Sequence, residues 1–398
     1  MSKFRATLVQ LWTRVITYNE DESIYVNGED NLYPSEMERV VMNSPTATRS
    51  ANLFSKFMSG KGIEEENIIV NAKDSKRLTD ILKEVTDDVS VQYGAWFHVG
   101  YGVNTDSENA EIKPIALTIL DYVKSRKDKS DDDENKGKIW FGNYDTSEKK
   151  LFSAKKDEEK KWYYPFSKDE NVILSQIRND NKEALKKAKK DGKEMELSEM
   201  IESYRGQVYY MNLTPDFEYA VSVFDSVFND CDTEYRIGVY ANTNTREGFL
   251  GKLAVLVSGL SETASEKIKE DIANWLGSEN SSSVYFLEIE DSENLDENFK
   301  ILNVESQYND DQFDKTEARI RRNILGASNN IPEGLLFPNE SGGLFAGSGE
   351  AYLQMKYFYD QQVIYERAKI EETFRLLGFP ITIIPIVTNE DLKPKEEL

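Results

Sequence analysis

The sequence predicts an α+β fold built from more than one structural unit. Three observations lead there. Several stretches repeat apolar residues every three or four positions, the helical period. Others are short aliphatic or aromatic runs bounded by turn residues. The chain is also 398 residues long, and at about 150 residues per domain that is two to three units. With 39% hydrophobic and 11% aromatic residues, each unit has material for a core.

The elements follow in chain order. Phe4, Leu8, Leu11 and Val15 have helical spacing and predict a helix that packs on the protein or a neighbouring subunit. Residues 31–35 read as a turn into a helix. Ser44 and Pro45 then open a stronger one, as N-cap and first residue, with Ala47, Ala51, Phe54, Phe57 and Met58 on one face. Gly60-Lys61-Gly62 stops it. A third helix is expected over 75–94, with Leu78, Leu82, Val85 and Val89 aligned, then a strand over 112–120. Residues 124–134 form a charged run that reads as a solvated loop. The aromatic stretches 139–144 and 162–166 look like short strands of a meander. Residues 181–204, rich in Lys, Glu and Ala, predict a solvent-facing helix.

From Thr214 the pattern sharpens. Phe217, Val221, Phe224, Phe228, Cys231 and Tyr235 predict one long amphipathic helix over 214–240, capped by Thr214 with Pro215 first. Its outer face would carry Asp216, Glu218, Asp225, Asp230, Asp232 and Glu234. Cys231 lies on the apolar stripe and reads as packing. Residues 242–246 are turn chemistry, 253–257 a buried strand, 261–277 a helix, and 284–289 and 299–304 strands. A helix over 310–327 turns Phe313, Ile320, Ile324 and Leu325 inward. It clusters Arg319, Arg321 and Arg322, which suit pairing with an acidic neighbouring surface; nucleic-acid contact is the alternative. A glycine-rich segment, 334–349, precedes a last long helix over 351–377, stopped by Gly378. A strand over 381–387 and a charged tail close the chain.

Composition excludes several chemistries. There are 72 Asp and Glu against 49 Lys and Arg, a formal net charge of −23. Phosphate neutralisation supplies most non-specific nucleic-acid affinity, so this balance argues against tight gripping of DNA, though not against a conduit that DNA slides past. The only histidine is His98 and the only cysteine Cys231. An internal disulfide and a multi-His or multi-Cys metal site are therefore impossible within one chain. His98, in an aromatic setting, reads as structural. Arg5, Gln10 and Arg14 interrupt any signal-peptide core, and no stretch approaches the roughly 18 apolar residues of a membrane span. A soluble protein without membrane, metal or cofactor is expected, in a reducing space or an assembly. No P-loop is present. Gly347-Ser348-Gly349 reads as a flexible loop, and Asp131-Asp132-Asp133 lacks the rest of an EF-hand loop. Carboxylate pairs leave an acidic glycoside hydrolase as one alternative, but with this many acids close pairs arise by chance.

The ordered set of motifs resembles phage portal proteins of the roughly 400-residue type. Residues 214–240, ending in Ile237-Gly238-Val239-Tyr240-Ala241-Asn242-Thr243-Asn244, look like the family's first stem helix. Residues 248–259 resemble its clip, and 261–277 its returning stem helix. Asp311-Gln312-Phe313 followed by Arg319-Ile320-Arg321-Arg322-Asn323-Ile324 resembles the tunnel helix. Asn330-Ile331-Pro332-Glu333-Gly334-Leu335-Leu336 and Gly349-Glu350-Ala351-Tyr352 are similar to the elements after it. Asn31-Leu32-Tyr33-Pro34 and Asn43-Ser44-Pro45-Thr46-Ala47 look like the entry to the wing. The likeness covers about two thirds of the chain, and the charged region 124–205 departs from a compact family member.

This resemblance implies the following organisation. Residues 1–123 are the N-terminal wing, 124–211 a charged elaboration, 212–240 and 261–278 antiparallel stem helices, and 241–260 a short β-containing clip. Residues 279–309 supply wing strands, 310–349 the tunnel helix and loop, and 350–398 the C-terminal helix, or crown, and tail. It implies a ring, usually of twelve copies, at one capsid vertex of a virion assembled in the host cytoplasm. DNA would pass through without being tightly bound. Expected partners are the terminase large subunit, then a neck or head-completion adaptor, with major capsid and scaffold proteins. Asn242, Asn244, Arg246 and Phe249 become partner-binding clip residues, and the six acids named above a channel face. Phe337, Asn339, Gly342, Gly343 and Phe345 become a tunnel-region loop, and the three arginines intersubunit ion pairs. No catalytic residue is implied. Another structural virion protein, such as a neck or capsid subunit, is the second alternative.

Overall fold

The computed structural model describes residues 16–71, 74–104, 111–129, 137–142, 160–247, 252–258, 284–289, 301–304, 310–337 and 348–386. It is mixed α and β. The chain divides into two compact units: Met1–Arg39, Arg49–Asp225 and Ser328–Leu398 form the first, Val40–Thr48 and Ser226–Ala327 the second.

The first unit is organised by a six-stranded sheet. In chain order its strands are β5 (Gly94–Asn104), β6 (Glu111–Leu120), β7 (Ser125–Lys127), β8 (Ile139–Phe141), β9 (Lys161–Pro165) and β10 (Gln207–Asn212). Across the sheet the order is β6-β5-β10-β9-β8-β7. All neighbours are antiparallel except β9 and β10, which run parallel at Tyr164 and Gln207. The predicted meander of aromatic strands is present as β7-β8-β9. A short hairpin, β1 (Ile16–Asn19) with β2 (Ile24–Asn27), and a small pair, β3 (Ile69–Asn71) with β4 (Lys76–Arg77), lie outside the large sheet.

β5 is buried on both faces. Successive side chains of a strand point to opposite sides, yet Trp96 and Phe97 are both fully buried. Trp96 stacks on Tyr210 at 3.8 Å and joins Leu120, Tyr122, Ile139, Val208 and Tyr219 in one cluster. Phe97 meets Phe374 of the Ile364–Leu376 helix edge-on at 5.7 Å. The Leu78–Gln92 helix contributes Leu78, Ile81, Leu82, Val85 and Val89 to the core.

The helix Pro45–Ser59 starts as its sequence dictates. Ser44 Oγ accepts from the Ala47 amide at 3.1 Å, and Pro45 is the first residue. Gly60 ends it with φ +61°.

Several expectations need correction. The charged run 124–134 is not all solvated loop: Ser125–Lys127 is strand β7 and Arg126 is 1% exposed. Residues 181–204 are not one helix. Glu170–Asp180, Lys182–Lys190 and Leu197–Glu202 are separate, because Asn181 spends its amide on Ile177 and Met200 carbonyls and Gly192 turns with φ +65°. The last helix is interrupted. Ser348–Tyr357 passes through a π-turn, Phe358–Gln362, before Ile364–Leu376. There the Val363 amide reaches back to the Phe358 carbonyl, and Phe358 packs edge-on against Phe57 at 4.9 Å. The expected strand 381–387 is reduced to a single bridge, Ile63 to Ile383. Pro380 and Pro385 flank it and cannot donate to a ladder. The N-terminal helix around Phe4–Val15 and the helix over 261–277 lie outside the described residues.

The second unit is a helical hairpin with a sheet at its tip. The helix Phe228–Glu247 leads into β11 (Lys252–Ser258). β12 (Val284–Ile289) pairs parallel to β11, and β13 (Ile301–Val304) pairs antiparallel on its other side. The helix Asp310–Ala327 follows and packs against Phe228–Glu247. Lys252 and Val304 are register partners, so five or six residues from there reach both helices. Asp230 and Asn323, at the other ends of the two helices, are hydrogen-bonded at 2.9 Å. The helices therefore run antiparallel. Cys231, Ile320, Ile324 and Leu325 are buried.

Candidate functional site

The two helices of the hairpin hold half of the residues singled out from the sequence, and not on one acidic face. The predicted helix over 214–240 begins only at Phe228, after a 3-10 turn, Asp225–Val227. The Thr214-Pro215 start fails because side chains capture the local amides. Asn212 Oδ1 accepts from Thr214 N, Thr214 Oγ1 accepts from Val221 N at 2.9 Å, and Tyr210 accepts from Ala220 N at 2.7 Å. Such bonds give the backbone an alternative to the helix. Asp216 and Glu218 consequently sit exposed in an irregular segment, with Glu218 ion-paired to Lys127. Asp225 lies in the 3-10 turn.

The other three acids are helical but diverge. Asp230 accepts from Asn323 of the antiparallel helix. Asp232 pairs with Arg236 at 2.6 Å one turn on. Glu234 accepts from the hydroxyls of Ser44 and Thr46 and from the Thr46 amide. That places a carboxylate at the N-terminus of the Pro45–Ser59 helix, where the dipole favours it. Burial pushes the nearby Cys231 thiol up to about 12, with the charges of Glu234 and Asp230 adding to the rise.

The clip residues need a similar correction. Residues 242–246 are not a turn, since the helix runs to Glu247. Thr243 returns its hydroxyl to the Val239 carbonyl at 2.9 Å, which satisfies it inside the helix. Asn242 is exposed on that helix. Asn244 and Arg246 belong to its last turn, and Phe249 lies outside the described residues. Arg319 and Arg322 are exposed and Arg321 half-buried on the Asp310–Ala327 helix. In the first unit, Phe337 lies under the Arg49 guanidinium at 5.7 Å. Asn339, Gly342, Gly343 and Phe345 lie outside the described residues.

The first unit contains polar centres that sequence reasoning missed. Arg126 donates through Nε to Asn31 Oδ1 and through Nη2 to the Asn31 carbonyl, both at 2.6 Å, and through Nη1 to Val123 and Ser125 carbonyls. Glu366 is 3% exposed and accepts from the Tyr93 hydroxyl at 2.7 Å and from Asn329 at 2.9 Å. Burial, then the Glu366 charge, raises the Tyr93 phenol. Asp88 is held well above the usual carboxylate range by burial, with Glu38 and Asp121 adding like charge. His98 sits beside the Arg205 carbonyl at 2.8 Å, and burial lowers its pKa.

Among the described residues, no group of three or more His, Cys, Asp or Glu side chains could hold a metal ion. None of the described helices is long and apolar enough to cross a membrane.

Comparisons with known proteins complete the description. No family model matches the chain, and no curated protein matches it. Among solved structures, a chain in the virion of a native gene transfer agent (GTA) particle aligns with a TM-score of 0.47 and 11% identity, over 90% of this chain and 84% of that one. A chain in the neck of an empty GTA particle, computed with C6 symmetry, aligns at 0.45 and 11%, over 87% and 82%. One in the neck of a native GTA particle, computed with C12 symmetry, aligns at 0.45 and 10%, over 92% and 83%.

Proposed function

We propose that this chain is the subunit of a portal-type ring at one capsid vertex, a structural gateway through which DNA enters and leaves a phage-like virion. The observation that carries the reading is the second unit. Two antiparallel helices, Phe228–Glu247 and Asp310–Ala327, project a three-stranded sheet at their tip. Arranged around an axis, such hairpins make a stem and their sheets a docking rim. The order of sequence motifs supports the same reading.

On this reading the returning stem helix would be 310–327 and the clip the excursion from 248 to 309. The rim would receive the terminase during packaging and a neck adaptor afterwards, with capsid and scaffold proteins around the wing. Asn242 and Arg246 then sit at the stem–rim junction. Arg319 and Arg322, both exposed, would pair with carboxylates of an adjacent copy. No residue is assigned a catalytic role and no cofactor is needed. The chain's formal net charge of −23 works against gripping phosphate, which suits passage.

Mass measurement of the purified protein, alone and in particles, tests the proposal. A closed ring of fixed copy number is expected, seen end-on by electron microscopy. A monomer under all conditions, particles included, overturns it.

A further inference from the structure

The charged elaboration of the first unit contains the feature that the gateway reading leaves unused. The helix Lys182–Lys190 places Lys182, Lys186, Lys189 and Lys190 at i, i+4, i+7 and i+8, one arc about 100° wide along roughly 12 Å of helix. All four are exposed, as are Lys187 and Lys193. Among the described residues none of these six lysines forms an ion pair, although lysines at 76, 83, 113, 124, 127, 129, 160, 356 and 369 all do. The helix is held from its other side: Leu185 and Ala188 are the half-buried positions. Its base is tied by Asn181, which donates to carbonyls on the preceding helix and to Met200 and accepts from Ser203.

We propose that this lysine arc is a sequence-independent contact for the phosphodiester backbone of duplex DNA; for its natural ligand the inference rests on the gateway reading. Duplex DNA carries one charge per about 1.7 Å of axis, so 12 Å of helix faces about seven phosphates. The chain's overall negative charge does not forbid this. Charges more than about 8 Å away are largely screened at physiological salt; within the helix the one acid is Glu183, with Asp180 before it and Asp191, Glu194 and Glu196 after it. The residue types decide against other partners. Protein interfaces are enriched in aromatics and Arg and depleted in Lys, and this arc has neither aromatic nor Arg. A helix lying in a membrane interface needs a large apolar face, whereas Leu185 and Ala188 already face the protein. Lysine is a hydrated point charge without a fixed fork, which suits a contact that must let go.

The test is binding of the full chain, in its native assembly state, to a 30-base-pair duplex of mixed sequence across a salt series. It compares the protein with the variant K182Q/K186Q/K189Q/K190Q, whose substituted side chains are exposed and unpaired. Four phosphates neutralised predict a log–log salt slope near −3.6, about 150-fold weaker binding at 200 mM than at 50 mM salt. The variant should bind at least tenfold more weakly at 50 mM with a markedly flatter slope, its circular dichroism and assembly mass unchanged. No binding at 50 mM, or equal affinity and slope for both proteins, overturns the inference. So does a changed assembly mass in the variant, which would mean the lysines hold another copy. The two readings fail separately: a ring with no lysine-dependent binding sinks only this inference, and lysine-dependent binding by a permanent monomer sinks only the ring.

Discussion

Replacing Arg126 by Met should be among the most damaging single changes to the first unit. The guanidinium is 1% exposed and makes four hydrogen bonds, two to Asn31 and one each to the Val123 and Ser125 carbonyls. Methionine keeps most of the aliphatic length but no donor. Each bond to a charged donor contributes about 1.5–3 kcal/mol, and each buried acceptor left bare costs about 1–3 kcal/mol. Against this, the variant no longer has to desolvate a cation. The net loss should be about 3–5 kcal/mol, a large share of the roughly 5–15 kcal/mol that holds a folded protein together. Urea titration followed by tryptophan fluorescence reads it, since Trp96 lies in the same sheet. The cycle with Asn31→Gly, which tolerates the φ of +64° at that position, should show coupling above about 1 kcal/mol. A loss below about 1 kcal/mol for Arg126→Met, or strict additivity with Asn31→Gly, would refute the assignment of Arg126 as the tie between β7 and the turn before the Tyr33–Asn43 helix.

Three further outcomes are expected. Gly60→Ala forces a left-handed residue at φ +61° and drives its Cβ into the Ile384 carbonyl oxygen; thermal unfolding should show a loss of about 2–3 kcal/mol, and an unchanged midpoint would contradict the packing there. Asp88 has a folded pKa above its unfolded value of 3.8, so folding favours its protonated form, and stability from this group is lost as pH rises from that unfolded value through the folded one. Asp88→Asn should therefore raise the unfolding midpoint at pH 7 and lose that advantage below about pH 4; the opposite pH dependence would count against the buried placement. The Cys231 thiol, fully buried and pushed up to about 12, should resist a disulfide reagent at pH 8 in the native protein and react after urea unfolding. Rapid native labelling would show that the helix interface is open.

What the sequence revealed depended on how local each cause was. Ser44 and Pro45 start their helix through bonds within four residues, and the structure repeats that start. The Asp310–Ala327 helix likewise follows from its own period. Thr214 and Pro215 present the same type of start signal, yet Tyr210 and Asn212 intercept the amides it needs. β5 went unread because both its faces are covered, so Trp96 and Phe97 break the alternation that marks a half-buried strand. Arg126 hides in a charged run, and its pairing with Asn31, 95 residues earlier in sequence, is a long-range cause that the local pattern does not carry. Of the residues proposed to act, the arginines could be placed on a helix from sequence alone. The divergence of Asp230, Asp232 and Glu234 could not, because their partners come from three different segments.

The pairing of Lys252 with Val304 has a consequence for how such a protein can change. The sheet returns the chain to its point of departure, so the two long helices are anchored regardless of what is threaded between the strands. Lengthening a connection between fixed anchors costs only about 0.6 kcal/mol per doubling. The tip can thus exchange its connections, and with them its surface chemistry, while the shaft keeps its register: an interchangeable cassette on a constant handle.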